Sequence, residues 1–214
     1  MNVVVCAKLV PTGTPTLGPD HLVVRSGVDG TLDPGDEYGL ELALQLTEQH
    51  GGDVTVVSMG PDEAGQALQR ALAMGASRGV LVSDPSLRGA DALVTARVLA
   101  AAIATTAFDL VVAGVESTDG YTGTVPVTVA ELLGIASVTA GAVEPRYPSL
   151  KGIMQAKQKP VDRPSLRDLG LSDTTATQTV TAVTDAPTKA GGEIVQGDEA
   201  VGRIADLLAE AKVI

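Results

Sequence analysis

Leu110-Val-Val-Ala-Gly-Val-Glu-Ser-Thr-Asp-Gly-Tyr-Thr-Gly123 decides the fold: an apolar, strand-forming run passes through a small polar loop and opens a helix. Gly114, Gly120 and Gly123 let the backbone turn sharply and approach a ligand closely. Thr122 is a suitable N-cap, and the free N–H groups of a first helical turn attract phosphate. With Val115, Glu116, Ser117, Thr118, Asp119 and Tyr121 between them, these residues read as a nucleotide site. The same residue types build ordinary strand-to-helix connections, so the surrounding sequence has to decide.

Outward from that loop, strand and helix signals alternate over the first 140 residues. Val3 to Ala7 is a short apolar run, and Asp36 to Gln49 is helical. Asp53 to Ser58 reads as a second strand, followed by a helix from Asp62 to Met74 that stops at Gly75. Val80 to Ser83, a helix from Ala90 to Thr105, and Asp109 to Ala113 continue the pattern. A helix from Gly123 to Leu133 ends at Gly134, and Ala136 to Ala140 is a fifth strand. This is the alternation of an α/β fold with a doubly wound, mostly parallel sheet.

Right-handed crossovers place the strands in the order 3-2-1-4-5, with the reversal between the first and fourth. Ligands bind at such a reversal, outside the carboxyl ends of the strands. The crevice is then lined by residues after Ala7, by the loop after Ser58 and by Gly114 to Thr122. The Gly-rich loop falls where topology puts a ligand.

From Ala142 onward the pattern gives way to Pro-rich, charged segments. A short helix is expected around Ser149 to Lys159, a β-branched run spans Gln178 to Val183, and Asp198 to Ala211 is amphipathic, with Val201, Ile204, Leu207 and Leu208 on one face. This half cannot bury itself alone, and an arm lying on another chain is the preferred reading.

The chain has 214 residues, enough for one large domain carrying an arm. Hydrophobic residues make up 44% with one Phe, three Tyr and no Trp, which suits the Ala, Val, Leu and Ile core of a helix-covered parallel sheet. One cysteine, Cys6, rules out an internal disulfide and points to a reducing compartment. The N-terminus lacks the pattern of a signal peptide and no run has the length of a membrane span, so a cytoplasmic location without membrane insertion is expected. A net charge of −11 argues against nucleic acid as partner. Against that background, Arg146, Lys151, Lys157, Lys159, Arg163 and Arg167 face a single acid, Asp162, between Pro145 and Arg167. Such a basic patch on a mobile connection suits steering toward an acidic partner.

Several chemistries are excluded. The loop after the first strand, Lys8-Leu-Val-Pro-Thr-Gly13, is not G-x-G-x-x-G, and no G-x-x-x-x-G-K-[ST] occurs. His21 and His50 have no neighbour at metal-ligand spacing, and no Ser-His-Asp or Cys-His arrangement is present. What remains is a chain able to bind a nucleotide without catalytic machinery of its own.

Eight short motifs in order carry a family resemblance: Lys8-Leu-Val-Pro11, Leu32-Asp-Pro-Gly-Asp-Glu37, Val56-Val-Ser-Met-Gly-Pro61, Ala71-Leu-Ala-Met-Gly-Ala76, Gly114 to Gly123, Ala130-Glu-Leu-Leu-Gly134, Pro145-Arg-Tyr-Pro-Ser-Leu-Lys-Gly-Ile-Met154 and Lys189-Ala-Gly191. Through them the chain resembles the small, or beta, subunit of electron-transfer flavoprotein. The resemblance implies a fold of the adenine-nucleotide alpha-hydrolase-like kind. It also implies a heterodimer with a larger alpha subunit, with FAD at the interface, carrying electrons from donor dehydrogenases such as acyl-CoA dehydrogenase to a quinone-linked or other acceptor. The crevice then holds AMP, with contacts that map onto Cys6, onto Asp33, Pro34, Gly35 and Asp36, onto Met59, and onto Gly114 to Thr122. Residues 1–144 correspond to the nucleotide-binding domain, 145–160 to a recognition loop in which Leu150 anchors the partner dehydrogenase, and 161–214 to an arm packing on the alpha subunit.

The chain departs from that family in three places. Thr12 stands where the family has Asp, with Gly13 where some members have an aromatic, and Thr124 replaces a Gln. Between Glu144 and Pro145 the family carries a long further segment that includes a charged hairpin; either this lineage lost it or the sequence is joined across a gap, and the gap is the favoured expectation. Two other readings stay open, a bifurcating-type subunit with a second FAD in place of AMP and a stand-alone adenine-nucleotide-binding regulator.

Overall fold

The structure is a computed structural model that describes every residue except 26, 134–135, 139–142, 173, 185–196, 198–199, 211 and 213–214, and the backbone alone of 136–138. Residues Met1–Thr181 form one compact unit and Ala182–Ile214 a second. The first is built on a six-stranded sheet. Its strands are β1 (Val3–Cys6), β4 (Val54–Met59), β5 (Arg78–Val82), β6 (Leu110–Gly114), β7 (Ala136–Val138) and β8 (Val161–Asp162). A separate antiparallel hairpin pairs β2 (Leu9–Pro11) with β3 (Gly30–Leu32), Leu9 opposite Leu32.

The sheet runs β7-β6-β1-β4-β5-β8 and every pairing in it is parallel. Val3 stands opposite Val54 on one side and Leu110 on the other, so β1 is central. The order 3-2-1-4-5 expected for the first five strands is therefore the observed one, with the reversal between β1 and β6. The sixth strand, β8, was not anticipated: its two residues add to the outer edge of β5, with Gly79 opposite Val161.

Successive side chains of each strand enter opposite layers, as a period of two dictates. Val3, Val5, Val56, Leu81 and Val112 face a core with Leu40, Leu44, Leu68 and Leu72. These leucines come from α1 (Pro34–His50) and α2 (Gly65–Met74). Val4, Val57, Val80, Val82 and Val111 face a second core with Val94, Val98, Ile103 and Val129, on α3 (Ala92–Ala104) and α4 (Thr124–Leu133). Fully burying each such side chain is worth about 1.5–3 kcal/mol, so two aliphatic layers hold the sheet, with Tyr38 and Phe108 partly buried against them.

Helix ends follow local chemistry. Asp33 caps α1 by accepting from the Gly35 N–H at 2.8 Å, and Pro34 follows at the first helical position. The expected helix from Asp62 divides into a single 3-10 turn, Asp62–Ala64, and α2, which ends at Gly75 with φ of 148°. Asp91 caps α3 through Val94 N–H at 2.9 Å. Ser149 caps α5 (Leu150–Ala156), which packs on α2 and buries Ala156. In the second unit, α6 (Ala200–Glu210) carries Val201, Ile204, Leu207 and Leu208 exposed. The β-branched run at 178–183 forms no strand. Gly134, the last two residues expected for the fifth strand (Thr139 and Ala140) and the Lys189-Ala-Gly191 motif lie outside the described residues.

Candidate functional site

The carboxyl ends of β1 and β6 meet the start of α1 at the reversal of the sheet. Cys6 is the last residue of β1, Gly114 the last of β6 and Met59 the last of β4, while Asp33 to Asp36 form the cap and first turn of α1. Lys8, just beyond β1, is tied to that turn twice. Its N–H donates to Asp36 Oδ2 at 2.8 Å, and its carbonyl accepts from the Asp33 N–H at 2.9 Å. Residue 114 must be glycine for the helix to come so close, because a Cβ there would lie 2.9 Å from Asp36 Oδ1 and 3.2 Å from the Gly35 carbonyl carbon.

Asp33 also reaches across to the loop. Its Oδ2 accepts from the Thr118 N–H at 2.7 Å and from the Thr118 hydroxyl at 2.8 Å. One residue further, the Asp119 side chain is 1% exposed and lies between two cations, Lys8 Nζ at 2.5 Å and the Arg25 guanidinium at 2.5 Å. Lys8 Nζ donates to Ser117 Oγ as well, at 3.0 Å. The loop, the exit of β1 and the excursion over residues 12–29 thus form one hydrogen-bonded body. Lys8 and Arg25 were not singled out in the sequence as site residues.

These surroundings set protonation. Burial pushes the Asp36 carboxyl up to about 8, aided by the charge of Asp33 and only partly opposed by N–H donors from Lys8 and Gly114. Burial, then the nearby Asp36, raises the Cys6 thiol to about 12. Burial would also raise Asp119, but Lys8 and Arg25 outweigh it and hold that carboxyl below its ordinary value.

The loop enters α4 by a tighter route than expected. Gly120 and Tyr121 donate back to the Ser117 carbonyl, at 3.3 and 2.9 Å, and Tyr121 and Gly123 take left-handed φ values of 49° and 61°. The helix accordingly starts at Thr124, which leaves Thr122 outside it and not its N-cap. The N–H groups of Gly123, Thr124 and Val125 have no acceptor among the described residues, the ordinary state of a helix start.

Of the expected site residues, Asp33, Pro34, Gly35, Asp36, Cys6 and Gly114 to Thr122 converge on this corner. Met59 is half-buried against the same core layer as Cys6. Leu150 stands elsewhere, as the first residue of α5, and is 77% exposed, with Tyr147, Ile153 and Met154 exposed beside it in sequence. Two shallow depressions, one lined by Asp62, Gln66, Val161 and Arg163 and the other by Arg78, Thr105, Asp162 and Asp168, are not the reversal crevice.

The basic segment is less free than its sequence suggests. Arg146 pairs with Glu41 and Glu48, and Arg163 with Asp62 at 2.8 Å. The Lys159 ammonium donates to the Leu72 and Ala76 carbonyls at 2.8 and 2.6 Å. Half of its six cations are therefore engaged with the domain's own α1 and α2 region, not held on a mobile connection. Leu166, Leu169 and Leu171 likewise pack on the α3 side of the sheet. Among the described residues no helix is long and apolar enough to cross a membrane, and no group of three His, Cys, Asp or Glu is placed to hold a metal ion.

A doubly wound parallel sheet with a glycine-rich loop at its reversal defines the class. The family described as "Electron transfer flavoprotein domain" matches residues 20–140. The chain is similar to the electron transfer flavoprotein subunit beta of Clostridium acetobutylicum, 45% identical over 141 residues that cover 65% of this chain and 54% of that protein. It is also similar to the subunit of the same name from Mycobacterium tuberculosis, 33% identical over 264 positions that cover 100% of this chain and 99% of the relative. Protein FixA of Azorhizobium caulinodans is 39% identical over 146 residues, 65% of this chain and 52% of that one. The chain belongs to the electron transfer flavoprotein beta-subunit family. Because the 264-position alignment spans all 214 residues, at least fifty of its positions stand opposite gaps in this chain.

Proposed function

We propose that this chain is the smaller half of a heterodimeric electron carrier. FAD lies at its interface with a larger alpha subunit and shuttles electrons from donor dehydrogenases, such as acyl-CoA dehydrogenase, to a quinone-linked or other acceptor. The chain itself works in the cytoplasm without independent catalysis. The flavin, when bound, supplies the redox chemistry; this chain's residues supply a binding surface and a rigid support.

AMP is the structural ligand of the reversal crevice. The observation that carries this reading is the loop at residues 114–122, fixed by Asp33 and Lys8, with the N–H groups of Gly123, Thr124 and Val125 at the start of α4 lacking an acceptor among the described residues. The residues present fit an adenosine phosphate. Amide donors and the Lys8 ammonium meet the anion, Asp36 carries a proton near neutral pH, and Gly114 keeps the strand end free of a side chain. Cys6, Asp33 to Asp36, Met59 and the loop are assigned to that ligand, and Leu150 to the docking of a dehydrogenase.

Co-expression with an alpha subunit tests the reading. The expected product is a yellow, flavin-bearing complex that a donor dehydrogenase reduces. A stable, colourless monomer that ignores the alpha subunit would overturn it.

A further inference from the structure

The stretch from Pro145 to Asp162 is fastened to the domain at both ends, while Tyr147, Leu150, Ile153 and Met154 between them stand exposed. At the far end, the Lys159 ammonium donates to the Leu72 carbonyl of α2 and to the Ala76 carbonyl just past that helix, and Val161–Asp162 pairs with β5. At the near end, Arg146 makes five hydrogen bonds to two carboxylates of α1. Its backbone N–H, Nε and one terminal nitrogen donate to Glu41 at 3.2, 2.6 and 3.0 Å, and its two terminal nitrogens donate to Glu48 at 2.5 and 3.1 Å.

Glu41, Gln45 and Glu48 share one face of α1, and Gln45 donates to Glu41 at 2.8 Å. Glu41 is 4% exposed, so without Arg146 it would be a buried charge lacking its counter-ion. From Arg146 the chain reaches Ser149, the cap of α5, and then Leu150. Tyr147 is 89% exposed and Met154 is exposed as well.

The geometry points to Arg146 as the positioning residue of the docking segment, whose grip on Glu41 and Glu48 sets where Leu150 is offered to a dehydrogenase. This rests on the docking role proposed above for Leu150. A planar guanidinium spans both carboxylates at once, which an ammonium, a point charge, does not. Holding the segment in place before the encounter lowers the ordering cost of binding.

The test uses the flavin-loaded heterodimer carrying Arg146→Ala, Arg146→Lys, Leu150→Ala or Glu48→Gln. Arg146→Ala is expected to raise the KM of the dehydrogenase for the carrier roughly tenfold, with a much smaller change in kcat and an unshifted flavin spectrum. Hydrogen exchange over 147–156 should speed up, and Arg146→Lys should restore only part of both losses. If Arg146→Ala fails to fold, Glu48→Gln, which opens half of the fork at an exposed site, should raise KM and exchange in the same direction. Unchanged KM and exchange in the Arg146 or Glu48 variants, while Leu150→Ala raises KM, would overturn the positioning role and leave docking intact. An unchanged KM for Leu150→Ala would overturn the docking role itself.

Discussion

Asp33 and Thr118 stand 85 positions apart in sequence and share two hydrogen bonds, both to Asp33 Oδ2, from the Thr118 N–H at 2.7 Å and its hydroxyl at 2.8 Å. The residue that caps α1 is therefore also the residue that holds the glycine-rich loop. Asp33→Ala is expected to lose the cap, about 1 kcal/mol, together with two half-buried hydrogen bonds of about 1 kcal/mol each. Urea unfolding should show a loss of about 2 kcal/mol or more, and calorimetric AMP affinity should fall with it. A variant with parental stability and affinity would show that cap and loop are not coupled.

Asp36 makes stability depend on pH in an unusual direction for a carboxylate. An acid whose folded value, about 8, lies above its unfolded one binds more protons when folded. Its contribution is full below about pH 4 and is lost as pH rises toward 8, with a slope of at most about 1.4 kcal/mol per pH unit. Asp36→Asn cannot ionise and should flatten the decline in stability between pH 5 and pH 8. An identical slope in parent and variant would contradict the assignment.

Cys6 is the chain's one cysteine, and burial together with Asp36 raises its thiol to about 12. The thiolate is the reactive form, so the native protein should resist iodoacetamide at pH 8 and react after unfolding in urea. Stoichiometric labelling of the folded protein at pH 8 would contradict the raised thiol.

Asp91 joins the far part of the chain to α3. Its Oδ2 accepts from the Thr177 N–H and hydroxyl, each at 2.6 Å, and from the Gln178 N–H at 3.1 Å, while Oδ1 caps α3. The Thr177 hydroxyl, with the Val94 N–H, holds this carboxyl down at about 2. Asp91→Ala should cost about 1 kcal/mol as a lost cap and release the chain around Thr177. A protease of low specificity should then cut near residues 177–181 faster than in the parent, and equal cleavage rates would contradict the tether.

The strand order was legible because Val3 to Ala7, Asp53 to Ser58, Val80 to Ser83 and Asp109 to Ala113 are apolar runs separated by helical stretches, and right-handed crossovers leave few ways to arrange them. The corner where Asp33 to Asp36 meet Gly114 to Thr122 follows from that order. The hairpin of Leu9–Pro11 with Gly30–Leu32 was not legible, since three residues, one of them proline, show no alternation. Val161–Asp162 is shorter still and becomes a strand only because the edge of β5 is there to receive it. The start of α4 was misplaced because the left-handed turn at Tyr121 carries no strong residue signal. Arg146 and Glu41 meet across 105 positions, and the one hint in the sequence is a glutamate beside Leu40 on a buried helix face.

The nucleotide content of the purified heterodimer tests the central claim most directly. After denaturation, about one FAD and about one AMP should be released per pair of subunits, with the AMP lost selectively in Asp33→Ala. Release of two flavins without AMP, or of a single FAD and no other adenine nucleotide, would contradict an AMP bound at the reversal of the sheet.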